Sequence, residues 1–236
     1  MSGGASAETI RIGFFGLEPQ MFVGDDKRPR GAAVDYWEQH LAPAMGVQIE
    51  WRGPENIKRL NRQVIKGEID AILLFAKNPE RERQLLYPEF PFTQMIAGLA
   101  LQKDHALERM HSIEDLSALK VCSLAGGVVP PLLLRATIYW RHNYSPARWS
   151  DECLRETAAG TVDATFNAMS SVLLYDLRKR GFAEQLKLVS LPGTELALYT
   201  AFSKRADPTL LARYNRAHNQ LRQQVEYSSL ERPYLQ

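Results

Sequence analysis

A chain of 236 residues, 45% hydrophobic and 24% charged, has the make-up of a globular protein large enough for one sizeable core or two smaller ones. A formal net charge of +2 gives no electrostatic case for nucleic acid or acidic membranes. No apolar run approaches the roughly 18 residues of a membrane span, and long charge blocks and low-complexity tracts are missing.

Ala5-Ser6-Ala7 before Glu8 has the small-x-small form that ends a secretory signal, against the alternative of a flexible cytosolic tail. Thr9 to Phe15 reads as a strand, and Gly31 to Met45 as a helix with Val34, Trp37, Leu41 and Met45 on one face. Val47 to Trp51 is a second strand. Asn56 can cap a helix that runs to Lys66, and Ala71 to Phe75 is the strand that follows. Ile96 to Gln102 reads as a crossing strand, and Ser112 with Asp115 has capping-box spacing. The second half repeats the order: a strand Lys120 to Ser123, a helix from Pro130 or Pro131, and a helix from Asp151. The strand Ala164 to Asn167 follows, then a helix through Tyr175, a crossing strand Leu196 to Phe202, and a last helix opened by Asp207-Pro208. That helix carries Leu210, Tyr214, His218 and Leu221 on one face, where His218 reads as a packed side chain. Alternating strand and helix implies a largely parallel α/β sheet.

One unit is written twice. Gly67-Glu68-Ile69-Asp70-Ala71 and Gly160-Thr161-Val162-Asp163-Ala164 each follow an amphipathic run and precede a short apolar stretch. A glycine past the last helical turn can take the left-handed conformation that sends the chain into a strand, so two copies predict two similar α/β lobes. In open α/β sheets ligands bind beyond the carboxyl ends of strands, which selects Ala76 to Arg81 after the first copy and Asn167 to Ser171 after the second. Cys122 and Cys153 could pair in an oxidising compartment, but Cys122 sits in the strand-like run Lys120 to Ser123 and Cys153 at a core-facing place of the repeat, so they are read as buried, unpaired thiols, since spacing alone cannot supply the geometry of a bridge. No metal-ligand spacing, nucleophile elbow, P-loop or dinucleotide fingerprint occurs.

Taken together, Gly31 with Val34-Asp35, the two Gly-x-x-Asp-Ala units, Pro79-Glu80-Arg81, the run Tyr87 to Phe92, Leu116 to Val121 before Gly126-Gly127, and Asp207-Pro208 resemble the family 3 periplasmic solute-binding proteins in order and spacing. The resemblance implies a two-lobed periplasmic binding protein-like (type II) α/β fold. Lobe one would take residues 8–98 and 200–236 and lobe two residues 103–195, with hinges near 96–102 and 196–202. It also implies a periplasmic monomer that closes its lobes on a small solute for an ABC-type permease, with no cofactor, no metal, no nucleic acid and no membrane insertion.

Arg81 takes the place of the arginine that clamps a solute carboxylate, for which a planar guanidinium with two parallel donors is suited. For an arbitrary Pro-Glu-Arg the plainer expectation is a surface ion pair with Glu80 or Glu82. Gly126, Gly127 and Val128 would offer backbone N–H groups to an anion, although relatives carry a threonine there and this chain has none. Phe14 and Phe75 could form an apolar wall. Two departures stand out: Ala76 replaces a threonine, and Ala168, preceded by Asn167, replaces the aspartate that neutralises an α-ammonium. A buried ammonium without a counter-charge is costly. The solute is therefore expected to bear a carboxylate and no α-amine, unless Glu18 or Glu195 supplies the missing charge. Alternatives on the same fold are a cyclohexadienyl dehydratase-like lyase, for which Glu18 would be the acid near the site, and a sensory or interaction module.

Overall fold

The computed structural model describes residues 8–125, 128–143 and 148–235. They fall into two compact units, one made of residues up to Thr93 with Ala197–Tyr234, the other of Gln94–Leu196.

The chain begins with β1 (Glu8–Gly13), the short hairpin β2 (Phe22–Val23) and β3 (Pro29–Arg30), and helix α1 (Ala32–Tyr36), which passes through a π turn at Trp37–Leu41 into α2 (Ala42–Met45). The single helix expected over Gly31 to Met45 is thus widened in its middle, where the Ala42 N–H donates to the Trp37 carbonyl five residues back. Pro43 explains it: its ring would collide with the Gln39 carbonyl in a regular α-helix. β4 (Val47–Arg52) follows, then α3 (Ile57–Lys66), capped by the Asn56 side chain, which accepts from the Arg59 N–H at 2.8 Å. β5 (Ala71–Ala76), α4 (Pro79–Gln84) and β6 (Leu85–Leu86) end the first pass.

β7 (Thr93–Met95) leads out, and the second unit holds β8 (Gly98–Gln102), β9 (Lys120–Leu124), β10 (Tyr139–Asn143), α5 (Trp149–Ala158), β11 (Ala164–Asn167), α6 (Ser170–Lys179) and β12 (Leu186–Ser190). The capping box forms as spaced, Ser112 and Asp115 closing a 3-10 turn over Ile113–Leu116. The helix expected from Pro130 or Pro131 is only a 3-10 turn, Pro131–Arg135, because Ala136 is already extended. Back in the first unit, β13 (Leu196–Ser203), α7 (Leu210–Leu221) and α8 (Tyr227–Glu231) complete the chain.

In the first unit the sheet runs β4-β1-β5-β13-β6, and in the second β10-β9-β11-β8-β12. Strands linked through helices pair parallel (β1 with β4 and β5, β9 with β10 and β11), whereas β13 and β8 run antiparallel to β5 and β11. Both sheets are therefore mixed, more so than alternation alone implied.

The two Gly-x-x-Asp-Ala copies do the same thing in each unit. Gly67 and Gly160 have φ of 75° and 71°, the left-handed values their positions require. The Asp70 N–H then donates to the Arg11 carbonyl at 2.8 Å while its carboxylate accepts the Arg11 N–H at 2.8 Å. The Asp163 N–H donates to the Lys120 carbonyl at 2.8 Å while its carboxylate accepts the Lys120 N–H at 2.7 Å. Each aspartate thus pins the register of its strand against the neighbouring parallel one. In the first unit Arg11 adds its guanidinium to Asp70 at 2.7 Å, an ion pair that raises the arginine's pKa.

Cys122 and Cys153 are not free thiols: they form a disulfide, their Cα atoms 5.5 Å apart. The pairing of β9 with β11, and the packing of α5 across that sheet, bring a strand residue and a helix residue within bonding reach. That proximity is tertiary and invisible to the spacing of the two cysteines. In the first unit α3 packs by Leu60 and Val64 on Ile69, Ile72 and Phe75. His218 is buried as expected, its ring nitrogens 2.9 Å from the Pro91 carbonyl and 3.2 Å from the Tyr36 hydroxyl. Burial lowers its pKa, so the neutral ring is favoured.

Among the described residues no helix is long and apolar enough to cross a membrane.

Candidate functional site

The carboxyl end of β5 is irregular, and the irregularity builds the site. Tyr199 partners Phe75 and Ala201 partners Ile72, so that Leu73 and Leu74 together face Thr200 alone, a β-bulge. Leu74 takes the extra residue's place with φ of 50°, a left-handed conformation that costs a leucine roughly 1–2 kcal/mol. In a regular strand Ile72 and Phe75, three residues apart, would point to opposite faces. Here both join Leu60, Val64 and Leu85 in one cluster, with Phe15 and Tyr87 packed at its margin.

On the Phe75 ring lies the Arg81 guanidinium, its carbon 3.7 Å from the ring centroid. α4 supplies Arg81: the Asn78 side chain caps this short helix by accepting the Arg81 N–H at 2.8 Å. One guanidinium nitrogen donates to the Ala76 carbonyl at 2.8 Å, and the Tyr87 hydroxyl donates to the same carbonyl at 3.2 Å. Burial lowers the Arg81 pKa, and among the described residues no carboxylate comes within 4.0 Å of it, so the ion pair with Glu80 or Glu82 is not formed. A half-desolvated guanidinium, locked on an aromatic face, retains donors for a planar anion.

Lys77 follows β5, its ammonium 4.4 Å from the Tyr199 ring centroid and 5.5 Å from that of Tyr87. Those two rings meet edge to face at 5.6 Å. Burial pushes the Tyr87 phenol up to about 12, so it stays protonated at neutral pH.

The other sequence-selected residues are scattered by comparison. Phe14 is wholly buried, edge-on to Trp51 with ring centroids 6.0 Å apart, and so sits in the core of its unit. Glu18 is half-buried in the turn bridged by Leu17 and Met21. Ala76 contributes its carbonyl rather than a side chain. In the second unit Asn167 turns its side chain onto the backbone, accepting the Met169 N–H at 2.9 Å, and the half-buried Ala168 packs on that unit's core. The exposed Glu195 accepts the Gly193 N–H at 3.1 Å. Val128 is exposed, while Gly126 and Gly127 lie outside the described residues. Among the described residues no group of three His, Cys, Asp or Glu side chains could hold a metal.

Sequence reasoning missed Lys77, Tyr87 and Tyr199. A usable signal existed for Tyr87, which opens the aromatic and proline run to Phe92. Lys77 follows the last residue of β5, inside the segment Ala76 to Arg81 that the strand-end rule selects.

Comparison with known proteins settles the family. A model of the bacterial extracellular solute-binding proteins, family 3, matches residues 10–236. The chain belongs to this family. No curated protein matches the chain. Solved structures similar to this family 3 chain include an ancestral cationic amino acid solute-binding protein, at 23% identity and TM-score 0.71 over 97% of this chain and 96% of the other. The L-cystine solute receptor of Neisseria gonorrhoeae, in its unliganded open conformation, is 20% identical with a TM-score of 0.73 over 97% and 93%. A histidine kinase sensor domain with similarity to periplasmic binding proteins is 21% identical, with a TM-score of 0.71 over 97% and 96%. At such identities these likenesses speak for the fold, which is the type II periplasmic binding protein architecture expected.

Proposed function

We propose that the protein captures a small carboxylate-bearing solute for an ABC-type uptake system, as an exported, monomeric binding protein that carries out no chemistry on its load. The observation that carries this is Arg81: buried by half, stacked on Phe75, anchored to the Ala76 carbonyl and lacking an acidic partner among the described residues. An arginine kept in that condition is stabilised when an anion completes its donors. Membership of an extracellular solute-binding family supports the transport role. The disulfide supports export, since such bonds persist in oxidising compartments.

Two of the similar structures are named for amino-acid solutes, one as a cationic amino acid solute-binding protein and one as an L-cystine solute receptor. For this chain Ala168 argues against an ordinary α-amino acid, because the segment after β11 presents no carboxylate to an ammonium. The solute is therefore an acid without an α-amine.

Thermal shift of the purified protein against a panel of small carboxylates and amino acids tests the proposal. Solute at about 100 times Kd should add about 2.7 kcal/mol of stability. Arg81→Met should abolish the response while leaving the unliganded melting point nearly in place. Silence across the panel, or an unchanged response in the variant, would remove the carboxylate assignment.

A further inference from the structure

Resting on the assignment of Arg81 to a solute carboxylate, we infer that Lys77 is a second anion-binding group of the same site and that the solute is a dicarboxylate lacking an amine. Two cations flank one tyrosine here. The Lys77 ammonium stands over Tyr87 at 5.5 Å, and the Tyr87 hydroxyl shares the Ala76 carbonyl with Arg81. Among the described residues neither cation has a carboxylate within 4.0 Å. Glu80 and Glu82 are exposed on α4, where Glu80 acts on Arg81 and Glu82 on Tyr87 only at a distance. Tyr87 cannot serve as the counter-anion, because burial holds its phenol protonated up to about pH 12.

Each cation lies half-buried against an aromatic face, which solvates a charge less well than water does. Tyr199 and Tyr87 relieve part of this for Lys77, and Phe75 for Arg81, since an aromatic face attracts a cation while leaving its N–H donors free to point away. What remains unmet is negative charge. A single carboxylate neutralises one of the two cations. Two acid groups neutralise both.

The test is calorimetry of the intact protein with succinate against butyrate, and glutarate against valerate, pairs that differ by one carboxylate at equal carbon number. The wild type should bind each diacid at least 10-fold more tightly than its monoacid partner. Lys77→Met should bring the diacid down to the monoacid's affinity and leave the monoacid within about twofold; Lys77→Arg should restore the preference. Arg81→Met should lose both. Equal affinity for diacid and monoacid in the wild type, or a diacid preference that survives Lys77→Met, overturns the inference while the carboxylate assignment stands. No binding of any acid overturns both.

Discussion

β5 and β11 hold the same place in their units: each follows a Gly-x-x-Asp-Ala copy, each is pinned by its aspartate to a parallel neighbour, and each pairs on its other side with an antiparallel strand. Their last residues differ. β11 keeps an unbroken register against β8, from Ala164 opposite Leu101 to Asn167 opposite Gly98, and delivers the apolar Ala168. β5 is bulged against β13 at Leu73 and Leu74, and that slip brings Phe75 onto the face where Arg81 and Tyr87 gather. A shared frame is thus held fixed by backbone groups and glycines, while chemistry is varied in the residues that lie past it. Past its strand the irregular copy carries Lys77 and Arg81, whereas Asn167 to Ser171 carry no charge.

The packing of the repeat helices differs in kind as well. In the first copy Leu60 and Val64 are buried against the strand; at the corresponding places of the second stand Cys153, bonded to Cys122, and Thr157, whose hydroxyl meets that of Thr165 at 2.8 Å. The largest expected effect comes from breaking that distinction. Closing a 31-residue separation removes about 3–4 kcal/mol of unfolded-state entropy. Replacing Cys122 and Cys153 together by Ala should lower stability by about that amount in urea denaturation, and wild type treated with reductant should fall to the same midpoint. An unchanged midpoint would mean that the second unit is held by its hydroxyls and apolar contacts alone.

A smaller difference separates the two aspartates. Hydrogen bonds to charged groups contribute about 1.5–3 kcal/mol each, less where water competes. Asp70→Asn loses the Arg11 ion pair and should cost about 1.5 kcal/mol, whereas Asp163→Asn, which answers only a backbone N–H, should cost about 1 kcal/mol. Equal losses would show that the guanidinium adds nothing to the register pin. Phe75→Leu keeps an apolar side chain under α4 but removes the ring, so solute affinity should drop by about 1 kcal/mol, roughly fivefold, through loss of the cation–π contact. Calorimetry with the solute found in the panel checks this. The helix cap is of similar size. α3 is capped by the Asn56 side chain and α5 has no such bond at Arg148. Asn56→Ala should therefore cost about 1 kcal/mol and Arg148→Ala close to nothing.

Much of this frame was readable from the chain alone, because it depends on local rules. Gly67, Gly160, Asn56 and the Ser112 to Asp115 box each act within a few residues of themselves, and strand Ala164–Asn167 lies where the pattern put it. What escaped depends on partners distant in sequence. The bulge exists only in the pairing of β5 with β13, so alternation in Ala71 to Ala76 gave no sign that Ile72 and Phe75 share a face. β10 lies on a sheet edge with Tyr139, Arg141 and His142 exposed, and so lacks the buried alternation that marks a strand. The disulfide, likewise, joins a strand to a helix whose contact is set by the sheet between them. In the candidate site, position in the sequence points to Arg81 and Phe75, whereas Tyr199 meets Lys77 and Tyr87 only because the fold brings β13 beside β5.

The last part of the chain is sewn into the first. Tyr214 packs on Trp37 at 5.6 Å, the Tyr227 hydroxyl donates to Gln20 at 2.5 Å, and the Tyr234 hydroxyl donates to Asp35 at 2.6 Å. The unit that carries Arg81 therefore cannot close its core until residues 197–234 have been synthesised, whereas Gln94–Leu196 is one continuous stretch with every strand of its sheet in hand. The middle of this protein is free to mature while its beginning waits for its end, and a truncation of a dozen C-terminal residues would be felt first around Gln20 and Asp35, far away in sequence.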